Sequence, residues 1–474
     1  MSVASADPLT ILRRGLMADV MRTCADRVAA HAHRKLLGIV VGGRATGNQL
    51  PLVAKELGFK IVHIYPKGLS ASITASFADN FDYPPMVFDP NSPLSSLTDQ
   101  VRALAKQQGL SVSGFIAGMD YGVEAADFLN SAFSTPGNTP NLWRTNKGLL
   151  NDHLESHGVP VVRSQTFNLE DIADGIRNRE FPVFIKPVSS FASIGAGCCE
   201  TRDHLQSVLD KMIAETKRMQ LTVKQAVVED FLHPNTIYFA NTINAQIKGT
   251  QKRIVTGLAV DTRGDDFSKE VWDLILMLPP PHLLAEQDRR LFNFMLEANK
   301  LVLNKSGTNV GSSHLEFMAR STKIESAADL LPIDLNLRLP GLDFPRLELQ
   351  ATGIDPYILG ILAHTHPELL ERFPELYSGW RQSVGLIFLR SHWNGTVSKR
   401  GTEWLNSLYN NPNARPDGAH FTRVLVPGAG SPVVKTTDGS TMEGVMHAVA
   451  PTVEALHALY REVREKERAR FFVD

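Results

Sequence analysis

The alternation of apolar and polar blocks predicts an open parallel sheet in the first third of the chain. Residues 8–33 place apolar side chains near helical spacing, and residues 36–41 form a short apolar run typical of a buried strand. A glycine-rich turn at 42–47 leads into a helix through 50–57, and a second apolar strand follows at 61–65. A strand–turn–helix–strand unit of this kind is typical of an α/β domain.

The glycine-rich turn permits two interpretations. Its glycines lie at positions 42, 43 and 47, which do not match the G-x-G-x-x-G pattern of dinucleotide-binding loops. Backbone amides at the start of a helix can bind an anion, but many such turns only pack tightly against the sheet. We favour packing and keep ligand binding as the alternative.

Strand patterns dominate after a Ser-, Pro-, Thr- and Asn-rich stretch at 130–142, which predicts a domain boundary. A chain of 474 residues exceeds what one core usually serves, so we expect about two to four domains or subdomains. The pattern predicts helices at 146–157, 285–305 and 451–470, and strands at 113–117, 183–186, 227–231, 237–247, 254–260, 314–318, 332–339, 384–390 and 423–426.

Composition and charge exclude several classes of protein. Hydrophobic residues make up 43% and charged residues 21%, as in ordinary globular proteins. The 49 Lys and Arg nearly cancel the 50 Asp and Glu, so the chain lacks the basic footprint of a nucleic-acid or membrane-surface binder. No apolar run approaches the roughly 18 residues of a membrane span. Three cysteines without metal-type spacing, and no secretion-signal pattern, lead us to expect a reduced protein of the cytoplasm.

The most informative segment is residues 332–341, which alternates between apolar and polar side chains. The alternation predicts that Asp334, Asn336 and Arg338 share one strand face. Taken alone, an amphipathic strand with a solvated side is the simpler interpretation. The residue types point further, because carboxylate and amide oxygens suit Mg²⁺ and an arginine on the same face suits a phosphate.

A second polar face precedes this strand. His314 and Glu316 share one side of a predicted strand, and Glu316 would add another oxygen ligand if the two strands pair. His314 taken alone is more often a structural residue than a catalytic one.

Candidate phosphate contacts lie upstream. Lys186 ends an apolar strand and precedes a loop at 189–197 that is rich in small residues, so backbone N–H groups could approach phosphate oxygens closely. The G-x-x-x-x-G-K-[ST] pattern of a P-loop is absent from the sequence. Taken alone, Lys147 is typical of a surface lysine, and residues 227–232 are typical of an edge strand.

These segments, in this order and spacing, resemble the ATP-grasp superfamily. More narrowly, they are similar to its carboxylate–amine ligases, which include the L-amino-acid (dipeptide) ligases and carnosine-synthase-like enzymes. The resemblance runs from about residue 36 to about residue 365. It is carried by the segments 40–67, 122–127, 144–147 with 157–160, 185–187 with the loop after it, 314–316, 334–338 and 350–355. No single segment is decisive, but the ordered set is specific.

The resemblance implies an α/β fold with α+β subdomains, in which an ATP-grasp fold follows an N-terminal open parallel-sheet, Rossmann-like domain. It implies four parts: an N-terminal pre-ATP-grasp domain, a small ATP-grasp subdomain, a central subdomain with the metal site, and a C-terminal lid or substrate domain. Their expected ranges are 1–134, 135–225, 226–365 and 366–474.

The resemblance also implies a role for each candidate residue, with ATP and Mg²⁺ as cofactors and Mn²⁺ as a substitute for the magnesium. The lysines would contact phosphates, the loop would cover them, and residues 229–232 would hold adenine. The implied ATP-binding residues are Lys147, Lys186, Ser189, Ser190, Ser193, Gly195, Glu229, Asp230, Phe231 and Leu232. The implied metal ligands are Glu316, Asp334 and Asn336, and the implied catalytic residue is Arg338, which would face the transferred phosphate. Beside these, His314 is kept as a catalytic candidate for orienting the substrate.

The sequence departs from the family pattern in four ways. Asp334 stands where relatives usually carry Glu, so its reach to a second metal ion is shorter. Asn146 precedes the first lysine where Asp is usual, and Phe191 occupies a loop position where a smaller residue is common. Residues 235–236 lack the acidic side chain that often contacts ribose.

The expected activity is ATP-dependent joining of a carboxylate to an amine through an acyl phosphate, with amino acids as substrates. Two alternatives stay open: a carboxylase-type enzyme that uses bicarbonate, and a non-catalytic nucleotide-binding module. We expect small-molecule partners, no nucleic acid and no membrane, and we leave a homodimer open.

Overall fold

The computed structural model describes residues 8–42, 44–69, 74–77, 81–89, 92–189, 194–218, 223–232, 236–262, 271–437 and 441–474. Within these ranges the strands are β1 (Lys35–Val40), β2 (Lys60–Pro66), β3 (Met86–Phe88), β4 (Ser111–Ala117), β5 (Ser164–Asn168), β6 (Val183–Pro187), β7 (Gly197–Cys199), β8 (Gln225–Asp230), β9 (Ile237–Ile247), β10 (Thr250–Thr262), β11 (Leu274–Met277), β12 (Gly311–Ala319), β13 (Leu330–Asn336), β14 (Ser383–Leu389), β15 (Gly395–Thr396), β16 (His420–Leu425), β17 (Pro432–Val433) and β18 (Gly444–Ala450). The α-helices are α1 (Pro8–Ala32), α2 (Arg44–Glu56), α3 (Ser95–Gln108), α4 (Val123–Phe133), α5 (Lys147–Ser156), α6 (Ile172–Gly175), α7 (Leu205–Arg218), α8 (Glu286–Lys305), α9 (Phe344–Thr352), α10 (Pro356–Thr365), α11 (Lys399–Leu408) and α12 (Val453–Arg468).

The first sheet is parallel and has the strand order β3–β2–β1–β4. β1 is buried from Leu36 to Val40, because helices pack against the sheet and leave the strand no solvated face. A continuous apolar run is what such a strand requires, so the local sequence predicts it correctly. The α/β character expected of the first third of the chain is confirmed.

The second sheet is small and antiparallel, in the order β5–β8–β6–β7. Its apolar face packs against α6 and α7, and the core residues include Ile172, Val183, Ile185, Leu205 and Met212. Lys186 lies near the end of β6, next to the loop predicted to cover phosphates. Residues 190–193 of that loop lie outside the described residues.

The third sheet is the largest, with eight antiparallel strands in the order β13–β12–β9–β10–β11–β14–β18–β16. The C-terminal strands β14, β18 and β16 therefore continue the sheet that carries the predicted metal strands. The four expected domain ranges remain a proposal beside this arrangement of sheets. In the part of the chain that the structure describes, no helix is long and apolar enough to span a membrane.

One strand prediction needs correction. The alternation predicted a strand over 332–339 with Arg338 on its polar face, but β13 ends at Asn336 and Arg338 lies in the bend after it. Pairing with β12 stops there, Pro340 has no N–H to donate to a ladder, and Leu342 takes a left-handed φ of 56°. The hydrophobic pattern continues past the strand because the apolar residues of the bend are buried as well.

Candidate active site

The predicted acidic residues meet because β12 and β13 pair. Their antiparallel register places Glu316 opposite Asp334 and His314 opposite Asn336. Side chains at directly opposed positions lie about 4.5–5.5 Å apart at Cβ. The prediction of Glu316 as a further metal ligand required these two strands to pair, and the pairing is confirmed.

Lys147 forms the closest contact of Asp334. Its Nζ lies 2.7 Å from both carboxylate oxygens, and both side chains are mostly buried. Burial favours the neutral acid, but Lys147 and, less strongly, Lys186 hold the pKa of Asp334 below its ordinary value. Burial also opposes the charge on Lys147, whose pKa is nevertheless raised by Asp334. The pair is therefore ionised at neutral pH.

The helix that carries Lys147 begins with a local cap. The Asn146 side chain accepts a hydrogen bond from the N–H of Leu149 at 3.1 Å, and the N–H of Lys147 donates to the carbonyl of Val188. Asn146 is therefore the N-cap of α5. The cap and the Val188 contact fix the start of α5 beside Asp334.

Lys186 connects the small sheet with the strand that carries Asp334. Its Nζ donates to the carbonyl of Ile333 at 2.9 Å and lies 2.8 Å from Glu229 Oε1. Asn151 Nδ2 also donates to Glu229 Oε1, at 3.2 Å. Glu229, an implied adenine contact, is thus buried and already bound by an ammonium and an amide.

The other residues implied to bind the nucleotide are more exposed than Glu229 or lie in loops. Asp230 is about half-exposed and pairs with Arg179 at 2.9 Å, while Phe231 and Leu232 follow β8 directly. Ser189 is exposed and lines a cavity beside Lys147. Of the other loop residues implied to bind ATP, Gly195 is left-handed and its N–H donates to Glu215 at 2.8 Å, and Ser190 and Ser193 lie outside the described residues.

Arg338 is held by an aspartate from the first sheet. Its Nη2 lies 2.8 Å from Asp120 Oδ2, and its Nη1 donates to the carbonyl of Leu339 at 2.9 Å. Burial opposes the charge, but Asp120, then Asp334 and Glu316, raise the pKa of Arg338. Sequence reasoning noted that a strand ends near Asp120 without giving it a role. The sequence feature that could have pointed to Asp120 is its place just past the carboxyl end of a parallel strand, where ligands commonly bind.

His314 lies between a buried polar chain and Glu316. Its Nδ1 is 2.7 Å from Asn241 Oδ1, its Nε2 is 3.3 Å from Glu316 Oε1, and its ring stacks on Phe239. Asn241 in turn donates to Glu348 Oε1 at 2.9 Å, so its amide oxygen faces His314 and accepts from Nδ1. This chain fixes the ring orientation.

Sequence reasoning missed Glu348 and Asn241. Glu348 is fully buried, and burial raises its pKa to about 8, so it is neutral at pH 7. Thr256 Oγ1 donates to the same oxygen as Asn241, at 3.1 Å. The available signal was polar side chains inside otherwise apolar strands, which require a buried partner.

The glycine turn mainly packs. The N–H of Gly42 donates to His63 Nε2 at 3.1 Å, and burial lowers the pKa of His63 to about 4, so the ring is neutral and can accept. A Cβ on Gly47 would lie 3.2 Å from the carbonyl oxygen of Gly118. Thr46 donates to the carbonyl of Pro340 and, with Gly47, reaches a cavity wall. These contacts favour packing, and ligand binding by this turn stays the untested alternative.

Two cavities meet at the polar residues. A cavity of about 250 Å³ is bounded at one end by the polar residues Asp120, His314, Glu316, Asp334, Asn336 and Arg338. Its remaining wall is largely apolar. A second cavity of about 160 Å³ lies beside Lys147 and Ser189, and it shares Asp120, Asp334 and Asn336 with the first.

The donor set fits a magnesium ion that also binds phosphate oxygens. Glu316 and Asp334 supply carboxylates and Asn336 an amide oxygen, and Mg²⁺ commonly uses one or two carboxylates plus substrate phosphates. Among the described residues, no three His, Cys, Asp or Glu side chains form a metal cluster, so the amide and the phosphates are needed. Lys147 holds both oxygens of Asp334, and we expect it to turn to a phosphate when the ion binds.

Comparison with known proteins places this geometry in a known fold. No protein-family model matches the sequence, and no curated protein matches it. The solved L-amino acid ligase from Bacillus licheniformis matches with a TM-score of 0.66, over 91% of this chain and 98% of that one, at 16% identity. The chain has the ATP-grasp fold.

Other solved structures share the ATP-grasp fold. N5-carboxyaminoimidazole synthase from Aspergillus clavatus, in complex with ADP and an aminoimidazole ribonucleotide, matches with a TM-score of 0.57 over 92% of this chain and 99% of that one, at 15% identity. The biotin carboxylase domain of the Hydrogenobacter thermophilus 2-oxoglutarate carboxylase, with MgADP and bicarbonate, matches with a TM-score of 0.55 over 91% and 89%, at 15% identity. The predicted fold is confirmed, and identities this low establish the fold alone.

Proposed function

We propose that this chain is an ATP-dependent ligase that activates a small carboxylate as an acyl phosphate and joins it to an amine, with amino acids as substrates. The likeness to a solved L-amino acid ligase supports this choice of substrates. The proposal rests on one observation: Asp334 and Glu316 face the same cavity end as Arg338, and Lys147 contacts Asp334 there.

The charges of this cavity end suit phosphoryl transfer. Glu316, Asp334 and Asn336 would hold Mg²⁺, which when bound supplies charge neutralisation for the phosphate oxygens. Lys147 and Lys186 add positive charge on the nucleotide side. Arg338 orients the carboxylate and the transferred group, and its ion pair with Asp120 keeps the guanidinium in place before substrate binds.

The reaction has two steps. A carboxylate oxygen attacks the γ-phosphorus of ATP, the bond to the β-phosphate oxygen breaks, and ADP leaves with that electron pair. The amine nitrogen then attacks the carbonyl carbon of the acyl phosphate. Inorganic phosphate leaves, and the nitrogen loses a proton as the amide forms.

The largely apolar wall of the larger cavity favours a substrate with a carbon chain. Bicarbonate, the substrate of the carboxylase alternative, has no apolar part that such a wall would bind. A module that only binds nucleotide would have no use for an arginine paired at the carboxylate end of this cavity. Both alternatives predict different outcomes in the same experiment.

Hydroxylamine intercepts acyl phosphates, so ATP-dependent hydroxamate formation tests the proposal. The purified chain with ATP, Mg²⁺, hydroxylamine and a panel of amino acids should form hydroxamate and ADP in equal amounts. Arg338→Ala should lower the rate at least about a hundredfold, as expected for loss of a transition-state contact. Arg320→Ala, an exposed arginine at the end of β12, is the matched control and should change the rate less than about twofold.

The outcome separates the candidates. ATP turnover that requires bicarbonate and ignores amino acids would favour the carboxylase. Nucleotide binding without turnover for any acid would favour the binding module and contradict the ligase.

A further inference from the structure

A single row of side chains runs across the large sheet from charged to apolar. Glu316 lies opposite Asp334 on one side and Phe239 on the other, and Phe239 lies opposite Ala259. Because directly opposed residues in a sheet point to the same face, these side chains line one surface. The row therefore begins at the predicted metal ligands and becomes apolar within one strand.

The apolar part of the row continues toward the C-terminal strands. Ile275 of β11 lies opposite Leu386 of β14 on one side and Asp261 of β10 on the other. Asp261 is two residues beyond Ala259, so Ile275 and Leu386 point to the same face as Ala259. Ile275 and Leu386 are both nearly inaccessible to solvent and line the cavity. Four strands thus build a floor beyond Glu316 whose cavity-lining side chains are apolar apart from Asn241, and the buried carboxylate of Asp261 lies beside Ile275 without lining the cavity.

The opposite wall is apolar as well. Leu342 and Phe344 follow Arg338 in sequence and line the cavity, and Trp272 lines it as well. Ala259 is the smallest side chain of the floor, so it leaves more space above the sheet than its larger neighbours do. The cavity of about 250 Å³ lies just below the roughly 300–1,000 Å³ typical of ligand pockets, which suits a molecule of amino-acid size.

Charge is confined to one end of the cavity. Among the described residues that line the cavity, Arg338 is the only arginine or lysine. The acidic residues that line it are Asp120, Glu316 and Asp334, at the same end. A second carboxylate or an ammonium on the ligand side chain would face Ala259, Ile275 and their apolar neighbours. Burying such a charge without a partner is costly.

We propose that the acid activated by this chain is a small monocarboxylate with an apolar side chain. Its carboxylate lies at Arg338, and its side chain lies over Ala259 between the sheet and Leu342. The inference rests on the proposed ligase function and names its substrate class. Ala259 is then a specificity-determining residue that sets the depth of the pocket.

Hydroxamate formation across acids of similar size tests this directly, since it needs no knowledge of the amine. The panel contains leucine, glutamate, lysine and glycine, with 4-methylpentanoate as leucine without its amino group. We expect kcat/KM for leucine or 4-methylpentanoate to exceed that for glutamate and lysine by roughly ten- to a hundredfold, the effect of burying one such side chain. A preference for 4-methylpentanoate over leucine would identify a simple acid, and the reverse an amino acid, as the source of the carboxylate.

Ala259→Leu tests the position of the side chain. The larger residue should lower the ratio of kcat/KM for leucine to that for glycine by about tenfold or more, with the KM for ATP unchanged. Ala240→Leu is the matched control, because Ala240 is buried on the neighbouring strand β9 and faces away from the cavity. That control should leave the ratio unchanged.

Failures of the two proposals are distinguishable. Preference for glutamate or lysine over leucine and 4-methylpentanoate, or an equal loss for all acids in Ala259→Leu and Ala240→Leu, would overturn the apolar substrate while leaving the ligase intact. Absence of hydroxamate with every acid would overturn the ligase and the substrate class together. The wild-type panel decides the matter even if Ala259→Leu does not fold.

Discussion

The charge of the candidate site depends on a few ion pairs that single substitutions can break. Asp334 is the residue that both Lys147 and the proposed magnesium ion need, and it cannot serve both fully at once. Lys147 is therefore a stand-in cation whose ammonium stabilises the ionised carboxylate before substrate binds. Lys147 and Asp334 each need the other's charge, because a buried charge without a partner is costly.

Removing the charge of Asp334 should abolish most activity. In Asp334→Asn the amide cannot neutralise Lys147 and binds Mg²⁺ less well, so we expect hydroxamate formation to fall at least about a hundredfold. The Mg²⁺ concentration for half-maximal activity should rise as well, and a magnesium titration of the rate measures it. Asp152→Asn, an exposed position on α5, is the control. An unchanged magnesium requirement in the Asp334 variant would contradict the assigned ligand.

Glu348 makes stability depend on pH in a specific window. Burial raises its pKa from 4.5 to about 8, so between these values the folded state keeps a proton that the unfolded state has lost. The free energy of unfolding therefore falls as pH rises through this window. Buried His63, His364 and His447 act oppositely, but only between about 4 and 6.5, because burial lowers the pKa of each to about 4.

The window from pH 6.5 to 8 therefore isolates the raised carboxyls. We expect the free energy of unfolding of the wild type to fall there by up to about 1.4 kcal/mol per pH unit for each such group. The glutamine of Glu348→Gln is neutral at every pH, so this variant should lose the contribution of Glu348 to the pH dependence of the free energy of unfolding. The contribution of Glu443, whose pKa burial also raises to about 8, should remain. Urea unfolding at both pH values measures it. An unaltered slope would show that Glu348 is ionised in the fold.

At the level of elements, the turn after β13 joins the C-terminal strands to the cavity. Leu342 and Asp343 both have a φ of 56°, a left-handed conformation that is costly for residues other than glycine. The buried carboxylate of Asp343 accepts from Tyr357 at 2.5 Å and pairs with Arg346 and with Arg423 of β16. These contacts hold the turn in its strained form.

A histidine of β18 completes this anchor. His447 Nε2 lies 2.8 Å from the carbonyl oxygen of Leu342, and burial lowers the pKa of the ring to about 4. The ring is therefore neutral at pH 7, and Nε2 carries the proton that it donates to Leu342. The C-terminal sheet strands thus position Leu342, which lines the larger cavity.

Loss of this anchor should weaken carboxylate binding selectively. Arg423→Gln removes one cation from Asp343 and lets the turn relax, so the KM for the carboxylate should rise about tenfold while the KM for ATP stays unchanged. Arg415→Gln breaks an ion pair of the same C-terminal segment, with Asp417 and Glu462, away from the cavity. Steady-state kinetics with each substrate varied separate the two variants. Equal KM changes for both substrates, or for both variants, would assign Arg423 a merely structural role.

The same elements show what sequence patterns can predict. The bounds of β9 agree with the prediction at both ends, and its end is marked locally by the turn at Lys248 and Gly249. The end of β13 was wrong, since burial of the following bend continues the apolar pattern. Asp120 and Asn241 received no role, because they reach Arg338 and His314 through strand order and register, which no local pattern records.

At the scale of the whole molecule, the candidate site lies where three sheets meet. The turn after β4 of the first sheet supplies Asp120, the small sheet supplies Lys186, and the large sheet supplies Glu316 and Asp334. Residues this distant in sequence could be grouped beforehand only through resemblance to a family whose fold was known. Their chemistry was predicted, whereas the pairing of each charge required the structure.

The proposed mechanism fixes the order of the two steps: phosphoryl transfer from ATP to the carboxylate comes first and needs no amine. ATP labelled with ¹⁸O at the bridge between the β- and γ-phosphates tests it most directly. Reversible transfer to a carboxylate frees the β-phosphate to rotate, so label should move into its non-bridging positions when carboxylate is present and amine is absent. We predict such scrambling with leucine or 4-methylpentanoate, and none in Asp334→Asn. Scrambling with bicarbonate alone, or none with any carboxylate, would contradict the acyl-phosphate ligase.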